Sequence, residues 1–371
     1  MGKFSFASIA ASAAGVLAAY DIGLEIADNP LCKEGSTPWT RSYEDAACAV
    51  YEPVGYDGDE LVVFMPGGGW RSGTIGNDWF VGTAFMGRAV ASHSTLPCRI
   101  ALVDYPKCVM PRLTIAKFYA GLAVFALVLV RLLSWVFLPL QFWLALAAIC
   151  YAAVGWLVWV REIKTSGSGK CSICGTTQPV NVDHQLEHIE HTIKALVDKY
   201  KPGRLVISGH SAGGHLAATI GAAAHSLFPS VERIFVVGIS GVYDIGALWH
   251  QAASSPIGWF VTQWCLAPCF FCAKGIESDA VVRKRLSPVT VLRNTALVPA
   301  DRFHLVSARY DNEMLYEQAE QFVEELCKRN ITVIRHRNVG LGHGLGLAKS
   351  AQLVDLLLAI AVRDPLIMKL N

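Results

Sequence analysis

Charge is what this sequence has least of. Only 17% of its 371 residues are Asp, Glu, Lys or Arg, where an ordinary soluble domain carries roughly 25%, and the mean hydropathy is +0.38. The two signs nearly cancel, leaving a net charge of +2, and no block of Lys or Arg occurs. A nucleic-acid partner requires such a block or patch to neutralise phosphates, so that class drops out. The opening Met-Gly is followed by Phe6 where N-myristoylation needs Ser or Thr, which excludes that lipid anchor.

Cysteine is not scarce, but 11 is an odd number in a chain this long, so a small disulfide framework does not apply. Cys98, Cys108, Cys150 and Cys327 lie in or beside apolar runs and read as buried free thiols. Cys171-x-x-Cys174 and Cys269-x-x-Cys272 have the spacing of zinc half-sites. The chain between them is far longer than a zinc ribbon allows, so disulfides or free thiols are favoured and no metal is expected. His184, His188 and His191 fall on one helical face, where a solvated polar face is favoured over a metal site.

The apolarity is concentrated. From Phe118 to Val160 the only charge is Arg131, and Pro139 divides the stretch into two segments of 21 residues. About 20 apolar residues suffice to cross a bilayer. The expectation is a transmembrane or membrane-associated helical hairpin with Trp156 and Trp159 at its returning end. Lys107, Arg112 and Lys117 precede it, and Arg161, Lys164 and Lys170 follow. The positive-inside rule then places the rest of the chain in the cytosol, and an endomembrane such as the ER or Golgi is the expected site. An interfacial hairpin, or an apolar cap packed on the body, are the other readings. Phe4 to Tyr20 is a further apolar segment, open to reading as signal peptide, anchor or amphipathic helix. Asn330-Ile331-Thr332 is a glycosylation triplet without meaning in the cytosol.

Outside these stretches, short apolar runs alternate with helical periodicity. Strands are expected at 61–65, 99–106, 205–207, 233–240, 303–307 and 331–335, and helices at 186–200, 216–224, 313–328 and 347–362. That alternation predicts one α/β domain with a mostly parallel sheet flanked by helices. The organisation read from the chain is an apolar N-terminal segment (1–25), a first part of the α/β domain (26–115), the hairpin insertion (116–164) and a linker (165–182). A second part of the domain follows (183–371), carrying a lid-like insertion (250–286) that Ser287-Pro288 closes.

The chemistry centres on Leu205-Val-Ile-Ser-Gly209-His-Ser211-Ala-Gly213-Gly-His215-Leu216, a strand, then Gly-x-Ser-x-Gly, then a helix. This is the context of a nucleophile elbow, in which a strained turn projects the serine hydroxyl from the sheet edge. A serine needs a base to take its proton and a third group to orient that base. Asp311 and His343 each sit in a turn after a later strand and complete the order Ser, Asp, His; Glu313 is the substitute acid. His210 and His215 flank the serine too closely to be its base, and His304 reads as a core or edge residue. Gly67-Gly68-Gly69 directly follows the strand at 61–65 and can aim bare N–H groups at a substrate oxygen. The expected oxyanion hole is Gly68, Gly69 and Ala212, with Trp70 and Tyr243 as candidate substrate contacts.

Gly-His-Ser-Ala-Gly-Gly-His, the Gly-Gly-Gly-Trp turn, Val-Asp-Tyr-Pro, Ile-Ser-Gly-Val-Tyr-Asp and Leu-Ser-Pro together resemble the esterase branch of the α/β-hydrolase fold. That branch includes hormone-sensitive-lipase-like carboxylesterases, kynurenine formamidase-like enzymes and isoprenylcysteine methylesterases. The likeness covers roughly residues 60–115 and 180–362, and Pro66 stands where these families usually have His. It implies a cofactor-free serine esterase acting through an acyl-enzyme. Combined with the hairpin, the expected partners are a hydrophobic ester (a lipid acyl ester or a prenylcysteine methyl ester) and the lipid bilayer. An amidase or formamidase of the same fold, and an inactive hydrolase fold serving as a membrane scaffold, are the alternatives.

Overall fold

The computed structural model describes residues 39–45, 48–70, 98–107, 180–253, 279–307, 313–337 and 351–362. Asp311, His343, the two Cys-x-x-Cys pairs and the apolar segments 4–20 and 118–160 lie outside them. None of the described helices is long and apolar enough to cross a membrane.

An eight-stranded sheet organises the body. It comprises β1 (Trp39–Asp45), β2 (Cys48–Pro53), β3 (Glu60–Met65), β4 (Arg99–Val103), β5 (Arg204–His210), β6 (Arg233–Ile239), β7 (Arg302–Val306) and β8 (Thr332–His336), in spatial order β1-β2-β4-β3-β5-β6-β7-β8. β1–β2 and β2–β4 run antiparallel; every other pair is parallel. The six expected strands are all present, each within a residue or a few of its anticipated bounds. The antiparallel edge pair β1–β2 is an addition that the apolar runs do not announce.

Why these runs are continuously apolar follows from their burial on both faces. In β3, Leu61, Val63 and Met65 join one core with Leu205 and Ile207 of β5. Val62 and Phe64 join the opposite core with Val206. Helix α1 (Val182–Tyr200) covers the first face through Ile189, Ile193 and Leu196. Its start is capped by the Asn181 side chain, which accepts from the N–H of His184, and left-handed Lys201 ends it. His184 and His191 face solvent and His188 is half-buried. Helix α2 (Ala212–Gly221) lies on the same face, close enough that a Cβ at Gly221 would strike Val236. The opposite face is closed by the last helix, which the numbering below makes α8 (Ala351–Val362), through Leu357 and Ala361.

The remaining elements follow the same logic. They are the single turn α3 (Ala224–Leu227), then α4 (Ile245–Ala253), α5 (Asp279–Arg285), α6 (Pro288–Leu292) and α7 (Glu313–Lys328). The two ends of the expected lid meet at Ser287, whose hydroxyl accepts from Ile245 N–H at 2.9 Å and donates to Arg283 O at 2.8 Å. Arg283 lies over the Trp249 ring at 4.3 Å, tying α5 to α4. On α7, Phe322 and Leu326 face the core, and the next residue turns away by a helical step. Cys327 is therefore exposed, which corrects its reading as a buried thiol; Cys98 is buried as expected.

Candidate active site

Ser211 ends β5 and opens α2 with φ +52° and ψ −115°, a conformation L-residues adopt only under constraint. Its N–H donates to Ile239 O at 2.8 Å and its carbonyl accepts from His215 N–H at 3.0 Å. The side chain makes no cap bond to the helix it begins. From Leu205 through Ala224 every residue is buried except Ser211. The backbone thus leaves one residue partly exposed in a run of twenty that is otherwise buried.

Two glycines permit this turn. A Cβ on Gly209 would collide with the Gly213 carbonyl, and one on Gly213 with the carbonyl oxygens of Met65 and Pro66. The second collision shows that the end of β3 runs directly over the elbow. A Cβ on Gly67 would come 3.3 Å from Ser211 Cβ and 2.8 Å from His210 Nδ1. The structure therefore brings Ser211, Ala212 and the glycine loop into one place. The loop itself carries φ +114° at Gly68, +59° at Gly69 and +63° at Trp70.

Three buried side chains hold that loop. The Tyr105 hydroxyl donates to Pro66 O at 2.9 Å and lies 3.3 Å from Gly67 O. Because C=O and N–H of a planar trans peptide point in opposite directions, drawing Gly67 O toward Tyr105 turns Gly68 N–H the other way. Gln185 Nε2 donates to Trp70 O and to Pro106 O, each at 2.8 Å. The Trp70 indole N–H donates to His215 Nδ1 at 3.2 Å, and His215 Nε2 lies 2.9 Å from Leu286 O. Burial pushes the His215 imidazole down to about 4. Asp104 receives Tyr105 N–H at 2.8 Å and pairs with Lys107 at 2.7 Å.

Trp70 and Tyr243, the candidate substrate contacts, both have other partners. Trp70 is 2% exposed and makes an edge-on contact with His215. Tyr243 is equally buried, stacks on Phe322 with centroids 4.8 Å apart and donates its hydroxyl to Gly238 O at 3.2 Å. Trp70 belongs to the glycine loop, whereas Tyr243 packs between β6 and α7. Sequence reasoning missed Tyr105, Gln185 and His215 as supports. Tyr105 and His215 do fall within motifs singled out on other grounds, whereas Gln185 leaves no local signal.

His304, on β7, lies fully inside, with Nδ1 3.1 Å from His336 Nε2 on β8. Burial, then His336 and Arg302, push His304 down to about 3; burial holds His336 near 4. Both are neutral at physiological pH. β5, β6, β7 and β8 are parallel, so β7 and β8 end at the same sheet edge as the β5 end beside Ser211; Asp311 and His343 lie outside the described residues.

The model of the prolyl oligopeptidase family matches residues 173–359. No curated protein sequence matches the chain. Among solved structures, esterase B from Lactobacillus rhamnosis superposes with a TM-score of 0.51 at 14% identity, covering 95% of this chain and 92% of its own. An esterase from Pseudomonas putida gives 0.50 at 16% identity, over 89% and 83%. Carboxyl esterase 2 from the fungus Tuber melanosporum gives 0.51 at 14% identity, over 93% and 98%. At such identities the likeness concerns the fold.

Proposed function

The chain belongs to the prolyl oligopeptidase family, and from that premise we propose that this serine hydrolase cleaves carboxylic esters of a hydrophobic substrate at a membrane surface. The observation carrying the reading is the strained backbone that leaves Ser211 alone only partly buried between Leu205 and Ala224, beside the glycine loop. Ester cleavage is favoured over peptide cleavage by the motif set of the esterase branch, from the Gly-Gly-Gly-Trp turn through Ile-Ser-Gly-Val-Tyr-Asp. The apolar stretch from Phe118 to Val160 is the reason for placing the substrate in a bilayer and the body on its cytosolic side.

In this mechanism His343 takes the Ser211 proton as Oγ bonds the ester carbonyl carbon, and Asp311 orients the imidazole. The carbonyl π pair moves to oxygen, and the N–H groups of Gly68, Gly69 and Ala212 stabilise that oxyanion; one such donor is worth about 3 kcal/mol. Collapse breaks the bond to the alkoxy oxygen, which leaves as the alcohol with the proton from His343. Water then loses a proton to His343 as it attacks the acyl-serine, releasing the acid and returning the proton to Ser211. No cofactor enters the scheme.

The test is turnover of p-nitrophenyl esters from C2 to C12 against matching p-nitroanilides. We expect ester cleavage that improves with chain length and a loss on the order of 10⁵-fold or more in Ser211→Ala. Preference for the anilides would select the amidase reading. Equal activity of Ser211→Ala would remove the serine from the chemistry.

A further inference from the structure

Three consecutive residues of the glycine loop, Gly68, Gly69 and Trp70, have positive φ. Such a run persists only where its surroundings fix it. On the far side of Trp70 the fixing is done by a chain of two hydrogen bonds that crosses three separate parts of the fold. Trp70 Nε1 donates to His215 Nδ1 at 3.2 Å, and His215 Nε2 meets Leu286 O at 2.9 Å. A carbonyl only accepts, so Nε2 carries the hydrogen and Nδ1 is bare, which is the form that receives an indole N–H. The imidazole is fully buried and packs edge-on to the indole, with centroids 5.3 Å apart.

We propose that His215 is a positioning residue for the oxyanion hole: through Trp70 it holds the glycine loop at its working distance from Ser211, and it anchors that hold on Leu286. His215 lies one helical turn beyond Ser211, on the helix that the nucleophile opens. A shift of the loop is therefore read directly against the serine. The protonated ring would present a second donor to the indole and break the link, so the strut works only through the neutral ring. Leu286 ends the segment that leads back from the expected lid, and Ser287 next to it ties that segment to Ile245.

The proposal rests on the serine hydrolase reading, and its test separates the two. His215→Phe keeps the buried ring and removes both bonds, Trp70→Phe removes the indole donor alone, and His215→Asn restores an acceptor near the Nδ1 position. On a p-nitrophenyl ester, His215→Phe and Trp70→Phe should each lower kcat by 10- to 100-fold with KM within about twofold, as a misplaced catalytic group does. The double variant should be no worse than the poorer single, because both remove one link. His215→Asn should recover most of the loss. Amide hydrogen exchange across residues 67–70, which needs no substrate, should quicken in both Phe variants and slow again in His215→Asn. Unchanged exchange, additive losses in the double variant, or kcat unchanged in His215→Phe would each overturn the strut. A wild-type chain that cleaves neither ester nor anilide, yet shows the exchange pattern, would overturn the hydrolytic reading and leave the strut standing.

Discussion

Ser211 and Ser240 are the same backbone device set one strand apart. Ser211 follows β5 with φ +52° and gives its N–H to Ile239 O; Ser240 follows β6 with φ +46° and gives its N–H to Val306 O, both at 2.8 Å. Each strand end is folded over by a bond to the next strand. The two hydroxyls differ in fate, since Ser211 reaches solvent while Ser240 is 4% exposed and its Oγ has no hydrogen-bond partner among the described residues.

A buried hydroxyl without a partner costs stability, on the order of 1–3 kcal/mol. Ser240→Ala should therefore raise the urea midpoint, by about 1 kcal/mol in free energy at constant m. A destabilised variant would reveal a bond to that oxygen.

Glycine at 213 and at 69 answers two different demands. A methyl at 213 meets the backbone carbonyls of Met65 and Pro66, which cannot move without pulling β3, whereas one at 69 meets nothing within 4 Å and faces only a φ of +59°. Gly213→Ala should cost 3 kcal/mol or more, on the order of severe overpacking, and abolish activity. Gly69→Ala should cost about 1–2 kcal/mol from the left-handed backbone and lower kcat while the fold survives. Thermal melts with ester turnover check both, and a tolerated Gly213→Ala would contradict the close approach of β3 to the elbow.

Acid should unfold this protein through its buried imidazoles. His215, His304 and His336 are held at about 4, 3 and 4, mainly by burial, below the unfolded value of roughly 6.5. As pH falls the unfolded chain therefore binds each proton first. Their stabilising effect is complete above about pH 7 and is lost as pH drops from 6.5 toward 4. Each imidazole adds a slope of about 1.4 kcal/mol per pH unit within that window. Denaturant midpoints between pH 7 and 4.5 should show the decline, and His304→Phe should flatten it by one proton's worth. An unaltered slope would count against a neutral His304.

The parts of the fold legible in the sequence are those whose signal is local. Helix α7 announces itself by apolar spacing from Glu313 to Lys328, and β5 by an apolar run ending at Gly209. The edge pair β1–β2 does not, because Arg41, Glu44, Asp45 and Glu52 interrupt any apolar pattern. The glycines of the elbow were readable as necessities of the turn. Trp70 and Tyr243 are both aromatics beside glycine turns, and the packing partners that bury them are not legible locally. Their partners, His215 and Phe322, lie 145 and 79 positions further on, and no local pattern connects them.

The bond from Gln185 to Pro106 O has a consequence for how the polypeptide is assembled. Pro106 stands where the chain departs toward residues 108–179, and Gln185 stands where it has just returned, so a single clasp closes both ends of the excursion. Closing a longer excursion of this kind adds only about 0.6 kcal/mol for each doubling of its length. The register on either side is held by the ladders of β3 with β4 and β5. One side-chain amide thus ties the end of β4 to the start of α1, whatever the length of chain between them.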